Sequence, residues 1–171
     1  MTMIFRRLGT ITVVSLLAVA CTGERDADSG RVGQVAANAA AGQATATAAD
    51  TVVVYKSPTC ACCTKWVDHI EENGFVAVTH DLDNLETIKR TLGVPAGRVS
   101  CHTATVGGYT IEGHVPADLI RRLIAENPRG VRGLAVPGMP MGSPGMEGII
   151  SQAYDVLSFD EQGNVQVYER R

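Results

Sequence analysis

Cys60-Ala61-Cys62-Cys63 places three thiols within four residues. A thiol in such a setting can exchange with a disulfide or, as the thiolate, bind a soft cation. Cys60 and Cys63 form a CxxC pair about 60° apart around a helix axis, close enough to pair or to share a metal. Cys62 falls about 200° from Cys60 and about 100° from Cys63 on a regular helix. Three sulfurs on one ion therefore require Cys60 to hang in the preceding turn. A site with more than one ion, bridged by sulfur, avoids that difficulty. The plain alternative is a Cys60–Cys63 disulfide, or thiols buried and inert. A helix N-terminus favours thiolate over thiol, because its unsatisfied N–H groups and dipole stabilise negative charge.

Two further clusters carry matching chemistry. Cys101-His102 follows about 40 residues downstream and offers a thiolate and an imidazole; the plain alternative is a structural disulfide from Cys101 to one of the three upstream cysteines beside a solvated His102. His114, in Glu112-Gly113-His114-Val115-Pro116, is a second imidazole candidate and reads equally as a surface histidine. His69 lies one heptad beyond Cys62, about 10 Å along a helix and too far to share a small site; His80 is background as well. The third cluster is the loop from Val136 to Met146, which holds Met139, Met141 and Met146 among three prolines and three glycines. That composition forbids a helix, so the methionines are not a helical core stripe, although Met139 and Met141 could still serve as gap-fillers. Thioether suits Cu(I). Thiolate, imidazole and thioether without a carboxylate cluster point to copper or silver over zinc, and away from calcium or magnesium.

The elements that must position these residues follow from pattern. Val52-Val53-Val54-Tyr55 is a short apolar run typical of a central strand, and Ser57, Pro58 and Thr59 supply a turn and helix N-cap. Trp66, Val67 and Ile70 recur at helical spacing until Gly74. Phe75–Val78 reads as a strand, Asn84–Leu92 as a helix, and Thr103–Val115 as a hairpin turning at Gly107-Gly108. Pro116 opens a helix with Leu119, Ile120, Leu123 and Ile124 on one face, ended by Pro128. After a Gly/Pro-rich loop, Tyr154–Leu157 and Val165–Tyr168 flank a Gly163-Asn164 turn as a final hairpin. The expected fold is α/β, in the thioredoxin-like order β-α-β-α-β-β-α, with a C-terminal β-hairpin.

The 171 residues divide into three parts. Residues 1–20 read as a signal peptide: Arg6-Arg7 and an apolar run of about 13 residues, shorter than the about 20 that a membrane span needs. Leu17-Ala18-Val19-Ala20-Cys21 resembles a bacterial lipobox, with Ala18 where leucine usually stands. Lipidation of Cys21 is the expectation, with ordinary cleavage leaving a stray thiol as the alternative. Residues 22–50 read as a flexible tether, rich in alanine and glycine and without an apolar stripe. Residues 51–171 form the folded domain. Lipidation accounts for the odd total of five cysteines, leaving four for the domain. The formal charge is −3; without Arg6 and Arg7 the 15 basic residues become 13 against 18 acidic, a charge of −5. No net positive field exists to bind nucleic acid.

From about Val52 to Tyr168 the chain resembles the CopG-like copper-resistance proteins of Gram-negative bacteria, a family labelled domain of unknown function 411. The resemblance rests on Tyr55-Lys56-Ser57-Pro58-Thr59-Cys60-Ala61-Cys62-Cys63, Ser100-Cys101-His102-Thr103, Glu112-Gly113-His114-Val115-Pro116, Gly133-Leu134-Ala135-Val136-Pro137-Gly138-Met139-Pro140 and Gly142-Ser143-Pro144-Gly145-Met146. It implies a periplasmic, thioredoxin-like domain whose CxCC motif and later cysteine and histidine bind several copper ions, with a redox role in copper tolerance. The chain departs from thioredoxins in lacking a proline opposite its CxxC, since Pro95 and Pro116 are poorly placed for one.

The expected function is periplasmic sequestration of Cu(I) in copper tolerance, on a membrane-anchored lipoprotein. Cys60 and Cys63 are the primary thiolates, and the catalytic pair if thiols and copper exchange electrons. Cys62 and Cys101 are additional or bridging ligands, His102 is the first imidazole and His114 a second, and Met139 and Met141 close over the site. Two other readings stay open: a thiol–disulfide oxidoreductase that needs only the CxxC, and a chaperone that passes copper to another periplasmic protein.

Overall fold

The computed structural model describes residues 50–171. The expected signal peptide, Cys21 and nearly all of the tether lie outside the described residues. No helix among the described residues is long and apolar enough to cross a membrane.

The chain runs β1 (Thr51–Lys56), α1 (Ala61–Glu72), β2 (Val76–Asp81), α2 (Glu86–Thr91), β3 (His102–Val106), β4 (Tyr109–Glu112), α3 (Ala117–Glu126), β5 (Gly133–Ala135), β6 (Asp155–Phe159) and β7 (Val165–Arg170). The seven strands form one mixed sheet in the order β2-β1-β3-β4-β5-β6-β7. β1 pairs parallel with β2 and β4 with β5, and the other neighbours are antiparallel.

The period-2 alternation of strands decides what each face holds. Val52 and Val54 of β1, Ala104 and Val106 of β3, and Tyr109 and Ile111 of β4 join one buried cluster. That cluster takes Trp66, Val67 and Ile70 from α1 and Leu119, Ile120 and Leu123 from α3. Each fully buried Leu or Ile contributes about 1.5–3 kcal/mol relative to exposure. The intervening residues face α2: Thr103 and Glu112 meet Lys89, and the Thr110 hydroxyl donates to the Leu92 carbonyl. His102, in phase with Ala104, is thereby placed on the α1 side of the sheet.

Three local features differ from the sequence expectation. The turn at Ser57–Thr59 forms, but the N-cap of α1 is Cys60, whose extended backbone (φ −79°, ψ 94°) leaves its sulfur accepting the Cys63 N–H at 3.3 Å. β2 runs on to Asp81, because its pairing with β1 continues to Lys56↔Asp81 and ends in an ion pair of 2.8 Å between those two residues. β5 is an additional strand. Three residues are too few to show alternation, and Gly133-Leu134-Ala135 is placed by its partners, Thr110–Glu112 on one side and Leu157–Phe159 on the other. Gly133 is required there: a Cβ would strike the Thr110 carbonyl and approach the Phe159 ring to 2.7 Å. The C-terminal hairpin therefore does not stand apart but extends the sheet through β5.

Candidate metal centre

The first turn of α1, the residues leading into β3, the end of β4 and the methionine loop meet at one end of the sheet. The sulfurs of Cys60, Cys62, Cys63 and Cys101 lie within 4.8 Å of one another. Cys62 Sγ is 3.4 Å from Cys60 Sγ and 3.9 Å from Cys101 Sγ. This convergence follows from the N-cap position of Cys60. Standing outside the helix, its side chain escapes the 200° separation a regular helix would impose on Cys60 and Cys62. Cys60 and Cys63 are joined in a disulfide, while Cys62 and Cys101 are free. The two residues expected as primary thiolates are thus held oxidised here.

A second group shares Cys101: the ligand atoms of Cys101, His102 and His114 also lie within 4.8 Å of one another. His114 Nε2 is 3.0 Å from Cys101 Sγ, and His102 Nδ1 is 3.4 Å from it. His114 Nδ1 is 2.7 Å from the Pro144 carbonyl. A carbonyl only accepts, so Nδ1 carries the proton and, in neutral imidazole, the Nε2 lone pair faces Cys101. Both rings are fully buried. His102 lies against the Trp66 indole with centroids 4.4 Å apart and meets His114 edge-on at 5.0 Å. Trp66 is held in turn by its indole N–H, which donates to the Val115 carbonyl at 2.9 Å. His102 Nε2 is buried without a hydrogen-bond partner.

The electrostatics keep this group uncharged before any metal binds. Burial lowers the pKa of His102 well below the usual imidazole range, with the His114 and Lys89 charges acting the same way. Burial also lowers His114, partly opposed by its bond to Pro144. The Cys101 thiol is pushed up to about 12, first by burial and then by Cys62. A cation reverses that preference, since it binds the thiolate and displaces the proton. Neutral imidazole, thiol sulfur and thioether form a donor set for a soft ion, and no carboxylate belongs to either group.

The methionine loop is fastened over this cluster at three points. Gly138 donates its N–H to the Val99 carbonyl at 3.2 Å and accepts the Ser100 hydroxyl at its own carbonyl. Pro144 accepts His114. Gly145, at φ +83°, lies flat on the first turn of α1, where a Cβ would come within 2.6 Å of the Cys62 carbonyl and 2.9 Å of the Trp66 nitrogen. Met139 Sδ consequently lies 4.0 Å from Cys62 Sγ, with Met139 half exposed at 51%. Met141 is turned elsewhere. Its methyl reaches Gly148, and its N–H and carbonyl bond to Gln152, because the chain folds back there through Gly142 and Ser151.

His69 and His80 stay apart from the cluster. His69 Nε2 accepts the Ala117 N–H and so caps α3, whose N-cap Pro116 has no side-chain acceptor, and His80 stacks on Tyr55. The sequence did not reveal the buried set behind Cys101. Lys89 Nζ donates to Glu112 Oε1 at 2.6 Å and to Thr103 Oγ1 at 2.9 Å, while the Thr103 hydroxyl donates to Glu112 Oε2 at 2.6 Å. Burial raises the Glu112 pKa, opposed by Lys89. A lysine in a short amphipathic helix carries no sign of burial in sequence; the only available signal was Glu112 in phase with Thr110 rather than with Ile111.

A family model described as "Protein of unknown function, DUF411" matches residues 98–146. Two solved structures, titled "Copper resistance protein copG- Form 2" and "Copper resistance protein copG- Form 1", are similar to this chain, each with 39% identity and a TM-score of 0.67. Each alignment covers 71% of this chain, and respectively 97% and 96% of the other. No curated protein sequence matches.

Proposed function

The chain belongs to the CopG-like copper-resistance family, and from that premise we propose that it binds Cu(I) in the periplasm, holds the ion out of circulation, and exchanges electrons between its thiols and copper. The observation that carries this reading is the shared sulfur: Cys101 belongs at once to a four-cysteine group and to a cysteine–histidine group. A bridging sulfur lets neighbouring ions occupy both groups, which supports a site holding more than one ion. Cys62, Cys101, His114, His102 and Met139 stand together as candidate ligands, and Cys60 and Cys63 join them once their disulfide is reduced.

Reduction of that disulfide takes two electrons and two protons. The reverse step, two thiols to one disulfide, releases two protons and supplies the electrons to convert two Cu(II) to two Cu(I), after which an external dithiol must restore the thiols. On this reading the scaffold is thioredoxin-like, an assignment supported by the β-α-β-α-β-β-α order through Glu126. Export by the leader, anchoring through a lipid on Cys21 and delivery to other periplasmic copper-handling proteins complete the proposal.

Reduced protein is expected to take up Cu(I) with loss of titratable thiols, and a Cys60→Ser/Cys63→Ser double variant to bind fewer ions. Unchanged copper stoichiometry in that variant would remove the CxCC site from the reading. The disulfide itself favours one alternative, a thiol–disulfide oxidoreductase. Insulin reduction that needs no copper and survives Met139→Leu would favour it.

A further inference from the structure

Glu112 is fully buried at the end of β4, opposite Thr103 of β3. One carboxylate oxygen accepts two donors, Lys89 Nζ and the Ser100 backbone N–H, each at 2.6 Å. Ser100 immediately precedes Cys101, and its hydroxyl donates to the carbonyl of Gly138, which immediately precedes Met139. The neighbouring Gly113 sits tightly against Ser100, where a Cβ would strike the serine side chain and come within 2.7 Å of the Val136 carbonyl. Gly113 also donates its N–H to the His102 carbonyl at 3.0 Å. One buried carboxylate thus fixes a backbone N–H from which a cysteine departs on one side and a methionine-bearing loop is held on the other.

Stability alone does not account for this pair. A buried ion pair costs desolvation that its attraction only roughly repays, and well-packed apolar residues of similar volume often do as well or better. What apolar residues cannot supply is an acceptor for the Ser100 N–H. The carboxylate also needs a counter-charge to remain ionised in this place, and Lys89, reaching across from α2, is the only cation bonded to it among the described residues.

We propose that the buried Lys89–Glu112 pair is the positioning device of the metal centre: through Ser100 it sets where Cys101 and Met139 present their sulfurs. Neither residue touches the metal. The inference rests on Cu(I) binding at this centre, and its test separates the two.

Two double variants remove the ion pair without leaving an unpaired charge. Lys89→Met/Glu112→Gln keeps an oxygen for the Ser100 N–H, whereas Lys89→Met/Glu112→Leu removes it. With both folded by circular dichroism, the leucine variant should bind Cu(I) at least tenfold more weakly, with an altered Cu(I)–thiolate absorption band. The glutamine variant should recover the wild-type affinity and band. In metal-free wild-type protein the Ser100 amide should exchange with solvent at least tenfold more slowly than in an open loop, and this protection should persist only in the glutamine variant. Equal Cu(I) affinity and spectrum in the two variants would overturn the proposal. If the leucine variant does not fold, rapid Ser100 exchange in the wild type, or an altered spectrum in the glutamine variant, would overturn it alone. Wild-type protein that binds no Cu(I) would sink the copper reading instead, and leave the exchange result to decide the hold on Ser100.

Discussion

Gly145→Ala probes whether the methionine loop is part of the metal centre or merely lies over it. At φ +83° an alanine costs about 1–2 kcal/mol in the backbone alone. Its methyl would meet two backbone atoms of α1, the Cys62 carbonyl oxygen at 2.6 Å and the Trp66 nitrogen at 2.9 Å, neither of which can swing away. Ordinary contact begins near 3.5 Å, so the loop must retreat by about 0.9 Å. The retreat draws the Pro144 carbonyl from His114 Nδ1, now 2.7 Å away, and loosens Met139 from Cys62. Loss of an outer partner that orients a metal-binding histidine typically costs 10–100-fold in affinity. The corresponding penalty is about 1.4–2.7 kcal/mol. The sheet and its core do not depend on this contact, so most of the loss should appear in binding. Competition against a calibrated Cu(I) chelator under reducing conditions measures it. Affinity within twofold of wild type, in a variant whose loop amides exchange faster, would refute the claim that loop placement tunes the site.

Met139→Leu should weaken Cu(I) binding and Met141→Leu should leave it within twofold, since only Met139 reaches the cysteine sulfurs; equal losses in the same competition assay would contradict the placement of the loop. Gly133→Ala should destabilise the domain by about 3 kcal/mol or more, because backbone of β4 blocks the new methyl and the strand that joins the C-terminal hairpin to the sheet must shift; urea unfolding reads this directly. Stability of the metal-free protein should fall as pH drops below 6.5. His102 and His114 have lowered folded-state pKa values, so the unfolded chain binds protons first, and stability present above 6.5 is lost as pH falls toward those folded values. Each histidine that stays neutral at pH 5.5 removes about 1.4 kcal/mol relative to neutral pH. Glu112, raised by burial, works in the opposite direction, so a His114→Gln variant with a shallower slope isolates the histidine share, and identical slopes would refute it.

Much of the site's chemistry was legible because it depends on residue type and local order. Cys60 and Cys63 were readable as a pair at a helix start, and Cys101-His102 as a second group at the entry to a strand, since a four-residue motif and a strand boundary are both local. The condition that the helical wheel set for Cys60 and Cys62 to meet, that Cys60 stand before the helix, is satisfied for an equally local reason: Cys60 is the N-cap and is not helical, although spacing alone could not say which residue would cap. Met139 and Met141 looked equivalent in sequence. They separate in space because Gly142, at φ +93°, turns the chain back toward Ser151 between the loop's anchors at Gly138 and Pro144.

By itself the sequence displayed the candidate donors, four cysteines, histidines and a methionine loop with no carboxylate cluster, and with them the expectation of a soft ion. It also determined the alternation that sends His102 to one face of the sheet and Thr103 and Glu112 to the other. Only the tertiary structure decided which donors meet. Cys101 comes within reach of Cys62 because β3 pairs with β1, across about 50 residues of chain that no local propensity encodes, whereas the local β3–β4 hairpin brings His114 to it. Only burial gave Lys89 and Glu112 their role, since the cost of a charge depends on what surrounds it and not on its neighbours in sequence.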